Sequence, residues 1–230
     1  RYTLEVNDLA NLQRAMGWTR QPILEGEHLY QFRFVEDLNE RPLRDAEVIM
    51  SACCNGDPGT ILEIGTAHGQ TTALMSRNAP QATIYTVNIP PEEIAAGGQA
   101  VTFAPSRQEI GQAYREAGCV NVQQILANTA HWEPDFGPID VAFIDGCHDA
   151  EFVYNDTRKV LARCRPGSLI LWHDFAPALA HNFDWIHQVC LGVERLYREG
   201  WLVDRILHLR DSWVGLYRVP GQAVARSAAA

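Results

Sequence analysis

At 230 residues, with 47% apolar and 20% charged side chains, the chain has the size and composition of one globular domain, not of a disordered or fibrous protein. Its formal charge of −9, with 19 Lys and Arg that form no long run, argues against a surface built to track phosphate backbones and points to a small-molecule partner, not a nucleic acid. The longest apolar runs, such as Val141 to Ile144 and Leu169 to Trp172, are strand-sized, so no membrane span is expected; six cysteines without C-x-x-C spacing or a preceding signal segment suit a reduced, cytoplasmic protein.

In chain order, residues 1–42 form an N-terminal cap segment, in which Trp18, Tyr30, Phe32 and Phe34 supply surface for packing. Residues 43–220 alternate short β-rich runs with helical stretches, the pattern of a mostly parallel sheet covered by helices. A helix from Leu43 to Cys54 leads into a strand from Thr60 to Ile64, a helix from Gln70 to Arg77 and a strand from Thr83 to Val87. The connection from Ile89 to Ser106, with three prolines and a Gly-Gly pair, reads as a loop or lid. A helix from Arg107 to Ala117 and strands from Val122 to Leu126 and Val141 to Asp145 follow. Next come a helix from Glu151 to Cys164, a strand from Ser168 to Trp172 and a helix from Phe183 to Arg198. Strands from Val203 to Leu209 and Trp213 to Val219 are joined by only Arg210-Asp211-Ser212, too short for a helical crossover, so they form an antiparallel hairpin and bring the sheet to seven strands. Residues 221–230 are a low-complexity tail, and neither end carries weight in the fold reading.

Three places concentrate polar chemistry. The run Ile61-Leu62-Glu63-Ile64-Gly65-Thr66-Ala67-His68-Gly69-Gln70 takes an apolar strand through a tight glycine turn into a helix, which lets backbone approach a nucleotide closely. A dinucleotide fingerprint would need glycines where Ala67 and Gln70 stand, so an NAD-linked reading loses ground. Asn88 and Ile89 end the second strand, and Asn128 and Thr129 follow the third. Finally, Asp145-Gly-Cys-His148 and His173-Asp174 fall at the carboxyl ends of two consecutive strands, where open α/β sheets bind ligands. Two carboxylates with an imidazole suit an octahedral divalent cation such as Mg²⁺ or Mn²⁺. The only lysine, Lys159, lies inside a predicted helix, so Schiff-base and phosphate-loop roles lack support.

These segments, over about Gly59 to Phe175, resemble class I methyltransferases dependent on S-adenosylmethionine (SAM), in particular the branch with macrocin-type sugar O-methyltransferases. The resemblance implies a Rossmann-like sheet with helices on both faces and SAM as cofactor. It places Glu63, Gly65, Thr66, Ala67, His68 and Gly69 at the methionine end, Asn88 and Ile89 at the ribose, and Asn128 and Thr129 at the adenine, with Asp145 beside the cofactor. It further implies Asp145 and Asp174 as metal ligands with His173 as ligand or support, and His148 as general base. Asp156 matches the family's helix aspartate and reads as structural. The expected activity is O-methylation of a hydroxylated small molecule, a sugar or natural-product intermediate, with Mg²⁺ or Mn²⁺ assisting. A metal-dependent oxygenase and a non-catalytic SAM-binding subunit are the rival readings, and a homo-oligomer is compatible with the sequence. A bulky residue at Gly65 is expected to abolish SAM binding with the fold intact.

Overall fold

The computed structural model describes residues 2–24, 41–95 and 104–221. Its strands are β1 (Thr3–Val6), β2 (Thr60–Ile64), β3 (Thr83–Asn88), β4 (Val122–Leu126), β5 (Ile139–Ile144), β6 (Cys164–Trp172), β7 (Ile206–Leu209) and β8 (Gly215–Arg218). The helices are α1 (Leu9–Met16), α2 (Arg41–Cys54), α3 (Gln70–Asn78), α4 (Pro91–Ala95), α5 (Gln112–Glu116), α6 (Ala150–Leu161) and α7 (Asp184–Arg198). The strands join in one sheet of order β1-β7-β8-β6-β5-β2-β3-β4. Only the pairs made by β8 are antiparallel.

The central strands form because their apolar residues are buried on both faces. Ile61, Leu62 and Ile64 of β2 and Val141 to Ile144 of β5 are all buried, as parallel strands with helices on each side must be. One face carries α1, α2, α3 and α5, whose Leu12, Val48, Leu74 and Tyr114 cluster with Ile61, Val141 and Phe143 of the strands. The other carries α6 and α7, whose stripe Ile186, Val189, Val193 and Leu196 packs on Leu62, Ile144 and Trp172.

Three elements depart from the sequence reading, one of them α4, which forms at Pro91–Ala95 inside the connection read as a loop or lid. The sheet has eight strands, because Thr3–Val6 of the N-terminal segment pairs in parallel with β7, Thr3 opposite Ile206. The helix expected from Arg107 spans only Gln112–Glu116, since the Gly111 and Ala113 amides donate to the Ala67 and His68 carbonyls of the turn after β2 at 2.9 and 2.8 Å. Tyr30, Phe32, Phe34 and residues 96–103 of the Ile89 to Ser106 connection lie outside the described residues. Among those described, no helix is long and apolar enough to cross a membrane.

The chain runs from β2 outward through β3 to β4, then returns to lay β5 on the other side of β2. The direction of winding therefore reverses between β2 and β5. The crevice at their carboxyl ends is the place such a sheet offers a ligand.

Candidate active site

A cleft of about 220 Å³ opens at that crevice, lined by Gly65, Ala67, Asn88, Ile89, Asn128, Thr129, Asp145 and His148 together with Ile64, Val87, Ala127, Gly146, Cys147 and Phe152. The second group was not singled out by sequence. Most of it flanks the motifs and contributes backbone or apolar wall, and only its adjacency to the motif residues could have announced it.

The turn after β2 is held from several sides. Ala67 takes a left-handed φ of 47°, and its amide donates to Asn88 Oδ1 at 3.0 Å. Asn88 Nδ2 donates to the Ile89 carbonyl at 2.9 Å, so this amide ties the β2 and β3 ends together as well as lining the cleft. At Gly69, φ is 82° and an added Cβ would lie 2.9 Å from Gly111 Cα, so this glycine permits the close approach of the chain leading into α5.

Four residues expected at the cofactor are not among those lining the cleft: Glu63, Thr66, His68 and Gly69. Glu63 is fully buried on the opposite side of its strand end. Its Oε2 accepts from the hydroxyls of Thr72 and Thr86, each at 2.5 Å, while Oε1 is buried without a partner among the described residues. Thr66 belongs to the same network, 2.7 Å from the Thr86 hydroxyl and accepting from Gln124 Nε2 at 2.9 Å. Burial pushes the Glu63 carboxyl up to about 7, against the lowering effect of its two hydroxyl donors. The unfolded chain releases this proton near 4.5 and the folded chain holds it to about 7, so Glu63 makes stability fall as pH rises through that window. Glu63→Gln should remove this slope, a difference on the order of 3 kcal/mol between pH 4.5 and 7. Urea unfolding of both proteins at pH 5 and pH 8 checks it; parallel changes in the two would show that Glu63 ionises freely in the fold.

At the ends of β5 and β6 the charged residues converge. Asp145, His148 and Asp174 each bring a ligand-type atom within 4.8 Å of the others. His148 Nε2 lies 3.0 Å from Asp174 Oδ2 and 3.9 Å from Asp145 Oδ1. Burial works against a charged imidazole here, but the hydrogen bond the ring donates to Asp174 and the negative charge of Asp145 and Asp174 outweigh it and push His148 up to about 9.

His173 stands behind this group, not in it. Its Nδ1 is 3.2 Å from Asp145 Oδ1 and 3.4 Å from Asp174 Oδ2, and its Nε2 is 3.3 Å from Asp45 Oδ2. Carboxylates face both of its nitrogens, and it falls outside the group whose ligand-type atoms all lie within 4.8 Å of one another. Support, not ligation, is therefore the role its geometry fits. Asp45 is in turn fixed by Arg41 Nη1 at 2.8 Å and by the Trp213 amide at 2.7 Å. Nothing in the sequence flags Asp45, which reaches His173 from α2 across 128 residues.

Asp145, His148 and Asp174 offer oxygen-rich donors with one imidazole, a set that fits Mg²⁺ or Mn²⁺. Among the described residues, the group with ligand-type atoms within 4.8 Å of one another holds one histidine and two carboxylates, not the two-histidine, one-carboxylate face of an iron oxygenase.

Residues 62–175 match a family model described as a methyltransferase domain. Solved structures share the fold at low sequence identity. An SAH-bound methyltransferase from Podospora anserina is 18% identical, with 94% of this chain and 97% of that one covered at a TM-score of 0.58. The O-methyltransferase TomG from Streptomyces achromogenes, in complex with SAM, is 17% identical over 76% and 78% at 0.53. The O-methyltransferase NovP is 16% identical over 76% and 78% at 0.57. No curated protein matches the chain.

Proposed function

We propose that this chain, whose residues 62–175 match a methyltransferase-domain model, is a class I methyltransferase dependent on SAM and transfers the methyl group to an oxygen of a hydroxylated small molecule, such as a sugar or natural-product intermediate, with a divalent cation assisting. The observation that carries this reading is the convergence of Asp145, His148 and Asp174 at the rim of a cleft that also contains the Gly65 turn. One constellation thus sets a proton acceptor beside the cofactor position. TomG and NovP, both O-methyltransferases on this fold, support oxygen as the acceptor atom.

In the reaction the acceptor oxygen attacks the methyl carbon, the sulfur–methyl bond breaks and the hydroxyl proton leaves, giving a methyl ether and S-adenosylhomocysteine (SAH). Two substrates must be aligned and one proton removed. The Gly65 to Ala67 turn, Asn88, and the Asn128–Thr129 loop would hold SAM, and His148 would take the proton while Asp174 orients its ring. Positive charge on the SAM sulfonium, entering beside Asp145 and Asp174, would weaken their hold on the imidazole proton and favour the neutral ring that a base must be. A cation held by Asp145 and Asp174 would supply charge neutralisation and polarise the acceptor oxygen.

The test joins a SAM titration by calorimetry to transfer of labelled methyl from SAM to a panel of hydroxylated acceptors. SAM binding with label appearing only on nitrogen or carbon acceptors would overturn the oxygen assignment. Excess chelator should reduce transfer, with Mg²⁺ or Mn²⁺ restoring it. Full activity in chelator would leave the two carboxylates as hydrogen-bond acceptors only.

A further inference from the structure

One stripe of α6 runs beneath the loop that forms the far wall of the cleft. Phe152, Asp156 and Lys159 fall at helical spacing i, i+4, i+7, so they share a face. Phe152 lines the cleft itself. The other two reach the segment from Ala127 to Trp132, which contributes Ala127, Asn128 and Thr129 to the same wall.

That segment is wound on itself. Asn128 Oδ1 accepts from the Ala130 amide at 2.9 Å, and the Asn128 carbonyl accepts from the amides of His131 and Trp132 at 3.0 and 2.9 Å. Such a turn directs other carbonyls away from itself, where each needs a donor. Lys159 supplies it: Nζ donates to the carbonyls of both Thr129 and Trp132, the latter at 2.9 Å. Asp156 accepts from the Thr129 hydroxyl at 3.2 Å. The loop is therefore pinned on backbone and side chain by two α6 residues, one of them the only lysine in the chain.

Asp156 is 1% exposed, and its Oδ1 is buried without a hydrogen-bond partner among the described residues. A carboxyl kept there against desolvation, with its other oxygen on Thr129, is poorly explained as helix packing, because an apolar residue would fill the space at less penalty. Burial pushes it up to about 7. Holding the cleft wall in one geometry is a role that needs this acceptor.

We infer that Asp156 and Lys159 are positioning residues for the cofactor, acting through Thr129 to fix the wall formed by residues 127–129. The inference rests on the SAM reading of this cleft. Neither residue lines the cleft, and neither touches the Asp145, His148 and Asp174 cluster. Their loss should therefore weaken SAM binding and leave that cluster's geometry unchanged.

The experiment measures SAM affinity by calorimetry, and hydrogen exchange of the His131 and Trp132 amides, in the full chain and its variants. Lys159→Met should weaken SAM by about ten- to a hundredfold, as loss of a charged donor to two carbonyls does, and should speed exchange of those two amides. Asp156→Ala should weaken SAM by about tenfold, whereas Asp156→Asn, which keeps an oxygen to accept the Thr129 hydroxyl, should stay near wild type. In a double-mutant cycle, Thr129→Val should add little to Asp156→Ala. SAM affinity within twofold of wild type in Lys159→Met, or an additive Asp156–Thr129 cycle, would overturn the inference. If Asp156→Ala does not fold, Lys159→Met decides the matter, since Lys159 is only partly buried. Failure of the wild-type chain to bind SAM would instead remove the cofactor reading, and loop exchange in Lys159→Met would still show whether the wall is pinned from α6.

Discussion

Replacing Gly65 by valine should destabilise the whole protein as well as remove SAM binding, with loss of about 3 kcal/mol or more. Gly65 has φ of +104°, and a Cβ placed on it would lie 1.9 Å from the Asp145 carbonyl oxygen and 2.6 Å from its carbonyl carbon. Those atoms are backbone at the end of β5, held by the Asp145 amide bond to the Ile64 carbonyl at 2.8 Å, so they cannot swing away as a side-chain tip would. The glycine thus keeps β2 and β5 in register where they diverge to make the cleft. The motif alone suggests that a bulky residue here would displace cofactor from an intact fold. The geometry shows that the first collision is within the protein itself. Thermal unfolding with a SAM titration checks this: a melting point lower by about 10 °C is expected. A valine variant that melts with the wild type yet binds no SAM would return Gly65 to a role in cofactor approach alone.

The same contrast marks what the sequence could and could not show. β2, the turn and α3 are legible because their information is local: a buried β run, small residues at the turn, then helical spacing. Asp145, His148 and Asp174 are legible because parallel strands put their ends on one edge, so position in the chain translates directly into position in space. Glu63 misleads for the same reason that it matters. It lies in the motif, but alternation along the strand turns its side chain to the Thr72 and Thr86 face, away from the cleft. The pairing of β1 with β7, the Asp45 contact with His173 and the grip of α6 on residues 127–132 all join elements distant in the chain. No local pattern encodes such contacts. His148 shows a further limit: its residue type and place were readable, but its proton affinity is set by two carboxylates whose distances only the fold determines.

His148→Ala should lower kcat by roughly 10²- to 10⁴-fold, the range that loss of a general base produces, while SAM affinity changes only a few-fold. An aliphatic hydroxyl is a poor nucleophile until its proton departs, and among the described residues near the cleft few groups can accept one. Asp145 is held below the ordinary carboxylate range: burial opposes its charge, but His173 at 3.2 Å and the nearby His148 outweigh that, and Asp174 is lowered by the same partners. Both are therefore weak bases. His173 has carboxylates at both nitrogens and stands behind them. His148 sits on the cleft wall, with Asp174 at 3.0 Å to orient the ring and stabilise it once protonated. Turnover of His148→Ala and wild type should be compared on whichever hydroxylated acceptor the wild type methylates, with SAM affinity measured alongside. Added imidazole should restore part of the lost rate if the missing group is a proton acceptor, and should do nothing if the side chain only braces the loop before α6. Wild-type turnover in the alanine variant would move the base elsewhere.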